Sequence, residues 1–364
     1  MTEAAAGMDQ ARDVRSGEEL DVASLEQYLD QNLEGFEGPL SVKQFPSGHS
    51  NLTYLVKDAH SEWVLRCPPK GAKQIKKGHD MGREYNILHS LEKVYPKVPG
   101  PVLYCESEDV IGAEFYLMER LNGVILRNGV PEKIGYTKED FARLSENFVQ
   151  SFVELHAVDI NATGLVDIGH PEGYVDRQVT GWSERYKKAQ TDEWADIDAL
   201  MAWLPNNKPP AVDHASMIHN DYRYDNLILD PSNPTEIVAV LDWEMATVGD
   251  PLMDLGTTLG YWINEHDPAQ LQALPFTLTA HPGNYNRTQL VERYAELSGR
   301  DTSHILFYYV YGLFKIAVIL QQIYFRYKKG YTQDERFAYL NYIVQILGQV
   351  GAKALESETI DPKL

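Results

Sequence analysis

A polar motif that leads into two short apolar segments is the feature that most restricts the fold of this chain. His219, Asp221 and Asn226 have the spacing H-x-D-x-x-x-x-N, and Asn226 leads directly into the apolar run Leu-Ile-Leu. A turn sequence of Asp, Pro, Ser, Asn and Pro follows, and a second apolar run ends at Asp242. Two apolar runs separated by such a turn predict a β-hairpin. This hairpin would bring Asn226 and Asp242 to the same edge.

The residue types in this motif suit phosphoryl transfer from a nucleotide. One carboxylate must orient a substrate hydroxyl and accept its proton, and Asp221 is the candidate for this role. An amide oxygen and a second carboxylate can hold Mg²⁺ against the phosphates, and Asn226 and Asp242 are the candidate metal ligands. Polar loop residues also serve as turn formers and caps. The hairpin context favours the metal site over that structural role.

The residues around the motif are better explained as scaffold than as reacting groups. His219 could touch the substrate, but we expect it to brace the loop. Arg223 could bind a phosphate, but we expect it to pair with a carboxylate of the loop. Asp225 can cap or orient the loop beside Asn226. Asp250 precedes a proline and is a candidate helix cap. Asp254 could hydrogen-bond to the backbone near Asp221 and hold the loop in shape.

The first third of the chain has the period-two pattern of strands. Its predicted order is three strands, a helix and two further strands, which indicates a small α+β lobe with an antiparallel sheet. The predicted elements are the strands 41–45, 51–56 and 62–66, the helix 82–91, and the strands 102–106 and 114–118. A preceding amphipathic helix is predicted for 21–33, with Asp21 as its N-cap.

The turn between the first two strands contains Ser47, Gly48, His49, Ser50 and Asn51. Glycine and small polar residues there would let backbone N–H groups approach phosphate oxygens. Most such sequences are ordinary turns, so the pattern alone is weak. It is not a Walker A loop, because no Gly-Lys-Ser/Thr sequence precedes a helix.

Arg66, on the third predicted strand, is a candidate phosphate-binding cation. Glu84, in the following helix, could pair with it and fix its direction. Ordinary surface charges are the alternative for each residue alone. An arginine at this position suits bidentate phosphate contacts, although it is bulkier than lysine.

Beyond residue 123 the chain becomes helical. Predicted helices include 141–156, 288–297, 305–327 and 333–355. The segment 305–325 is apolar enough to suggest a membrane span, but Lys315 lies in its middle, and a charge there is costly in hydrocarbon. We therefore predict a buried core helix. The predicted organisation is a mobile tail (1–20), an N-terminal lobe (21–118), a hinge (119–123) and a helical C-terminal lobe (124–364).

Composition narrows the possible partners. The net charge of −20 argues against nonspecific binding to nucleic acid or anionic membranes, both of which need an excess of Lys and Arg. The two cysteines, Cys67 and Cys105, lack metal-site spacing and are expected to be reduced. The N-terminal segment does not combine a basic start with a continuous apolar run, so we do not expect a signal peptide. We expect a cytoplasmic protein.

The motifs together resemble the aminoglycoside phosphotransferase family, which includes choline kinase-like enzymes. The branch that they resemble most is the kinase-like domain of certain acyl-CoA dehydrogenase fusion proteins. The matching pieces are FPSGHSNLTYLV, YVDRQVTGW, HNDYRYDNLILD and VLDWEMATVGDPLMDLG. The resemblance implies a bilobal, protein-kinase-like α+β fold that binds MgATP. It implies that Asp221 is the catalytic aspartate and that Asn226 and Asp242 are metal ligands. Glu84 would be the helix glutamate.

The resemblance further implies a hinge that holds adenine through backbone groups near Met118, Glu119 and Leu121. Many relatives carry lysine where this chain has Arg66. The implied activity is transfer of the γ-phosphate of ATP to a hydroxyl of a small molecule. The branch suggests a hydroxyacyl-CoA or a hydroxy acid, and the wider family suggests an aminoglycoside, choline or a sugar.

Two other functions remain open. Arg66 is compatible with a catalytically weak module that binds nucleotide or acyl-CoA without turnover. A protein kinase is disfavoured, because Asp242-Trp243-Glu244 replaces D-F-G and no A-P-E sequence follows.

Overall fold

The computed structural model describes residues 7–8, 10–46, 51–69, 80–127, 129–212, 214–272, 274 and 278–363. The chain divides into two compact units. The first comprises Met1–Ile125, Thr163–Ile168 and Asn226–Ala246. The second comprises Leu126–Ala162, Gly169–Asp225 and Thr247–Leu364. The motif hairpin therefore belongs to the first unit, although it lies far along the chain.

The first unit is built on a five-stranded antiparallel sheet with the strand order β1-β2-β3-β5-β4. Its strands are β1 (Ser41–Gln44), β2 (Leu52–Lys57), β3 (Glu62–Cys67), β4 (Pro101–Cys105) and β5 (Phe115–Glu119). Its helices are α1 (Val22–Asn32) and α2 (Met81–Leu91). The predicted order of three strands, a helix and two strands is confirmed. Asp21 caps α1 by accepting a hydrogen bond from the Ser24 N–H, as predicted.

The core of this unit lies between α1 and the sheet. Leu25 and Leu29 of α1 are fully buried in one cluster with Tyr54, Leu65 and Phe115 of the strands. Cys67 and Cys105 are buried and form no disulfide bond. This burial follows from the alternation of apolar residues along the strands, which places one face of the sheet against the helix.

The described residues of the segment that we predicted as a mobile tail form hydrogen bonds with the sheet. The Arg12 N–H donates to the Gln44 carbonyl at 2.8 Å, and the Gln44 N–H donates back to Arg12 at 2.8 Å. The Tyr54 hydroxyl donates to the Glu18 carbonyl at 2.6 Å. These bonds join the segment to the edge strand β1 and to β2.

The hairpin consists of β7 (Leu227–Leu229) and β8 (Ile237–Val240), which pair antiparallel. Val124 exchanges two backbone hydrogen bonds with Leu229 and so extends this small sheet. A Cβ atom at Gly123 would overlap Ile228 and the Leu229 carbonyl. The glycine therefore allows this close approach.

The second unit is mainly helical. Its helices are α3 (Val130–Ile134), α4 (Lys138–His156), α5 (Tyr174–Ala189), α6 (Ala195–Trp203), α7 (Pro251–Tyr261), α8 (Ala269–Gln272), α9 (Arg287–Ser298), α10 (Ile305–Lys328) and α11 (Leu340–Ser357). Two short strands, β6 (Ser216–Ile218) and β9 (Thr247–Gly249), pair antiparallel. Asp250 caps α7 through the Leu252 N–H, as predicted. The last predicted helix was too long at its start. Asp334 caps a separate short turn, Glu335–Phe337, and α11 begins at Leu340.

Helices α7 and α10 cross at a pair of glycines. A Cβ atom at Gly312 would overlap the Gly256 carbonyl oxygen, and one at Gly256 would overlap the Tyr308 carbonyl oxygen. The absence of side chains therefore lets the two backbones touch. Helix α10 is long and apolar enough to cross a membrane, but 72% of its apolar window is buried inside the protein. This burial agrees with the predicted core helix.

Candidate functional site

Arg66 is at the centre of a charged cluster in the first unit. It lies on β3 opposite Tyr116 of β5, and its side chain is 10% exposed. Its Nη2 atom lies 3.0 Å from Asp242 Oδ1, 3.5 Å from Glu84 Oε1 and 3.6 Å from Glu244 Oε2. The predicted pairing of Arg66 with Glu84 is present. Asp242, predicted as a metal ligand, shares the same guanidinium.

Burial and charge act against each other in this cluster. Burial disfavours the charged form of Arg66, but the carboxylates, led by Glu84, outweigh it and raise the pKa of the guanidinium. Burial raises the pKa of Glu84, and the charge of Arg66 opposes that rise. Arg66 is therefore the shared partner of three carboxylates among the residues that the structure describes.

The hairpin brings Asn226 and Asp242 together, as predicted. The Leu241 N–H donates to the Asn226 carbonyl at 2.8 Å, and Asp242 is the next residue. Asp242 has a left-handed backbone (φ 68°), and its side chain is 35% exposed. Among the described residues, no group of three His, Cys, Asp or Glu could hold a metal by itself. An amide and a carboxylate fit Mg²⁺, which takes few protein ligands and completes its shell with phosphates and water.

Asn51, the last residue of the predicted turn between β1 and β2, contacts this cluster. Its side chain is 2% exposed and donates from Nδ2 to Glu244 Oε2 at 2.8 Å. The other predicted phosphate-binding residues of that turn, Ser47, Gly48, His49 and Ser50, lie outside the described residues. Asn51 therefore connects the start of β2 to Glu244, which also contacts Arg66.

The predicted hinge residues lie at the end of β5. Met118 is paired with Val64, and Glu119 is paired with Trp63. The Glu119 N–H donates to the Gly100 carbonyl at 2.8 Å. The Leu121 carbonyl accepts from the Arg120 side chain at 3.0 Å. The role of these residues in adenine binding stays a prediction.

Asp221 belongs to the second unit and lies in a loop that several side chains hold. Its backbone N–H donates to His219 Nδ1 at 3.2 Å. Its carboxylate lies 3.3 Å from Arg223 Nε, and Arg223 also pairs with Asp225 at 3.1 Å. The Arg223 guanidinium stacks over the Tyr261 ring at 5.0 Å. The expected bracing by His219 and ion pairing of Arg223 are thus confirmed.

Asp254 holds the same loop from helix α7. Its two carboxylate oxygens accept the N–H groups of His219 and Asn220 at 2.6 and 2.7 Å. His156 Nε2 lies 3.3 Å from the same carboxylate. The predicted contact of Asp254 with the loop backbone is confirmed.

The charge states in this brace follow from burial and hydrogen bonding. Burial opposes ionisation of Asp254, but its hydrogen bond with His156 and the two backbone donors hold its pKa below the usual value. Burial lowers the pKa of His156, so the imidazole is neutral at neutral pH. A neutral His156 can donate from Nε2 to Asp254 while Nδ1 accepts the Tyr294 hydroxyl at 2.7 Å.

Sequence reasoning missed two residues that contact the candidate groups. Glu244 binds both Arg66 and Asn51, and the only signal for it was its position two residues after Asp242. Lys315 donates to the Asn220 carbonyl at 3.0 Å. Its signal was a lone charge in an apolar helix, which we had used only to exclude a membrane span.

Comparison with known proteins agrees with these features. Residues 41–289 match the model of the phosphotransferase enzyme family. The chain is 34% identical to acyl-CoA dehydrogenase family member 11 of Gallus gallus over 89% of this chain and 42% of the relative. It is 32% identical to the Homo sapiens protein of that name over 96% of this chain and 45% of the relative. The chain thus spans less than half the length of these relatives.

Solved structures show the same fold. A Ralstonia eutropha protein provisionally described as an aminoglycoside phosphotransferase is 31% identical, with a TM-score of 0.79 over 93% of this chain and 99% of that chain. Choline kinase from Cryptosporidium parvum has a TM-score of 0.66 at 14% identity, over 94% of this chain and 98% of that chain, and so shows the fold alone. The α+β, protein-kinase-like architecture is confirmed. The chain belongs to the phosphotransferase enzyme family.

Proposed function

We propose that this protein transfers the γ-phosphate of ATP, with Mg²⁺, to a hydroxyl of a small molecule in the cytoplasm. The observation that carries the proposal is the position of Asp221. It lies in a loop whose backbone Asp254 holds through two N–H groups, five residues before Asn226. Membership of the phosphotransferase family supports the same chemistry.

Each residue has a role that its chemistry supports. Asp221 would orient the acceptor hydroxyl and accept its proton as the oxygen attacks phosphorus. Asn226 and Asp242 would hold Mg²⁺, which neutralises charge on the phosphates when it is bound. Arg66 would contact phosphate oxygens while Glu84 and Glu244 keep its direction. The turn of Ser47, Gly48, His49, Ser50 and Asn51 would cover the phosphates, and the segment of Met118, Glu119 and Leu121 would bind adenine.

For the acceptor, we propose a hydroxyacyl-CoA or a related hydroxy acid. The support is the similarity to proteins named acyl-CoA dehydrogenase family members, at 32–34% identity. Aminoglycosides, choline and sugars are the alternatives that the wider family offers. The net charge of −20 does not choose among these, because local groups decide the field in one pocket.

The test is an acceptor screen with ATP and Mg²⁺, read by mass spectrometry of the phosphorylated product. The acceptors are hydroxyacyl-CoAs, the free hydroxy acids, aminoglycosides, choline and sugars. Asp221→Asn should remove product formation, whereas Asp30→Asn, an equal charge change at an exposed position on α1, should not. Full activity of Asp221→Asn would contradict the assignment. Omission of Mg²⁺ should also abolish the reaction.

The second candidate function is a module that binds nucleotide or acyl-CoA without turnover. The observation that favours it is the engagement of Arg66 by three carboxylates, including Asp242 at 3.0 Å. In this arrangement the Nη2 atom of Arg66 binds carboxylates of the protein rather than a phosphate. Stabilisation of the fold by MgATP, together with no product from any acceptor, would support this function.

A further inference from the structure

Lys315 places a charge in the middle of α10, where the side chain is only 1% exposed. Its ammonium group donates to the Asn220 carbonyl at 3.0 Å, to Asn220 Oδ1 at 3.2 Å and to Thr257 Oγ1 at 3.3 Å. All three acceptors are neutral. Within the described part of the chain, no carboxylate lies within ion-pairing distance of this lysine. A buried charge without an opposite charge beside it is costly. For stability alone, an uncharged residue at position 315 would therefore be preferred to lysine.

The group that Lys315 holds is the residue before Asp221. Asn220 has a left-handed backbone (φ 68°), which few residues other than glycine adopt. Its N–H is bound by Asp254 at 2.7 Å, and its carbonyl is bound by Lys315 at 3.0 Å. The peptide group that joins Asn220 to Asp221 is therefore fixed by a cation on one helix, and the preceding peptide by an anion on another.

The contact between α7 and α10 sets the relative positions of the helices that carry Asp254 and Lys315. Asp254 lies two residues before Gly256, and Lys315 lies three residues after Gly312. The two glycines bring the helix backbones into direct contact. Any shift of one helix against the other would move the anion and the cation relative to Asn220.

We infer that Lys315 is a positioning residue for phosphoryl transfer, acting through Asn220 to fix the backbone that carries Asp221. This inference rests on the proposed function. The charge of Lys315 also interacts with the carboxylate of Asp221, the candidate catalytic group. Burial lowers the pKa of Lys315 to about 8, and the carboxylates of Asp254 and Asp221 oppose that shift. The ammonium group thus interacts electrostatically with Asp221 from within the protein core.

The test compares Lys315→Met with the wild-type chain and with Lys133→Met, which removes an exposed lysine on α3. Methionine keeps the length and apolar stem of the side chain but removes the donors and the charge. We expect kcat to fall by about tenfold to a hundredfold, with KM for ATP changed by less than about twofold, because only the orientation of Asp221 is lost. Lys133→Met should match the wild type. An unchanged kcat in folded Lys315→Met would overturn the inference.

Hydrogen exchange supplies a readout that needs no turnover. Peptides that contain residues 219–222 should exchange faster in Lys315→Met than in the wild type, and slower or equal exchange would overturn the bracing role. If the wild-type chain phosphorylates no acceptor, the proposed function fails while this measurement still decides whether Lys315 holds the loop. If Lys315→Met does not fold, Lys315→Gln, which keeps a donor without the charge, takes its place in both measurements.

Discussion

Replacing Arg66 by methionine should destabilise the first unit and make its stability depend more strongly on pH. The guanidinium is the common partner of Glu84, Asp242 and Glu244, with contacts of 3.0 to 3.6 Å. With an effective dielectric constant of about 20, each contact corresponds to about 5 kcal/mol of gross attraction. Desolvation of the charges and repulsion among the carboxylates offset most of this sum. Losing one partner of a buried ion pair costs about 3–5 kcal/mol, and this is the loss that we expect.

The pH dependence follows from Glu84. Burial already raises its pKa above the usual value of 4.5, with Arg66 opposing the rise, so loss of Arg66 should raise the pKa further. A carboxyl group with a raised pKa in the folded state binds a proton that the unfolded state has released. The folded variant therefore gains stability relative to the wild type as pH falls towards mildly acidic values. The difference in unfolding free energy between the wild type and Arg66→Met should therefore grow as pH rises to neutrality.

Urea denaturation at mildly acidic and neutral pH measures both effects, and hydrogen exchange of peptides from β3 and from residues 226–246 locates the loss. The control is Arg143→Met, because Arg143 is 64% exposed in its pair with Asp140 and should contribute less than about 1 kcal/mol. Arg66→Lys keeps the charge but not the planar guanidinium with its several N–H donors. This variant should recover part of the stability that Arg66→Met loses. If Arg66→Met were as stable as Arg143→Met at neutral pH, the reasoning about one cation and three carboxylates would be refuted.

Three further predictions concern the groups around the site. Asp254→Asn should lower stability by about 2 kcal/mol at neutral pH. The lowered pKa of Asp254 contributes its full stabilisation above the usual value of 3.8 and loses it as pH falls through the lower pKa of the folded state, so the acid denaturation curves of variant and wild type should converge there. Gly312→Ala should cost about 1–3 kcal/mol or more in thermal and urea unfolding, whereas Gly181→Ala, with only the end of the Arg185 side chain near its Cβ position, should be neutral or stabilising. Glu244→Gln should weaken ATP binding in a titration, with stability little changed, because Asn51 keeps an oxygen acceptor while Arg66 loses a guiding charge.

Local patterns were sufficient to predict much of the fold. The strands β1 to β5 are amphipathic segments bounded by turn residues, and each differs from its predicted range by at most one residue at either end. The hairpin that carries Asn226 and Asp242 was predictable because a Pro- and Asn-containing turn separates two apolar runs of matching length. The last helix was predicted too early because apolar periodicity continues through residues 335–339, while capping by Asp334 closes a separate turn there.

The contacts among distant residues were not predictable in the same way. The pairing of Arg66 with Asp242 joins positions 176 residues apart, and nothing in either local sequence specifies it. Glu244 could have been predicted only as a neighbour of Asp242, since its partners, Arg66 on β3 and Asn51 just before β2, lie far from it in the sequence. Such contacts depend on the packing of β3 and α2 with the hairpin within the first unit.

Lys315 shows why a residue can be read correctly in one respect and missed in another. A lysine in an apolar helix argues against a membrane span because its charge is costly in hydrocarbon, and a lysine buried in a protein core needs polar partners elsewhere in the fold for the same reason. That condition itself implies that the partner gains a fixed hydrogen bond. The partner is the backbone of Asn220, next to the candidate catalytic aspartate. A lone buried charge in a core helix is therefore best treated as a sign of a constrained loop nearby, because the cost of burying it is offset only by groups that it holds in place.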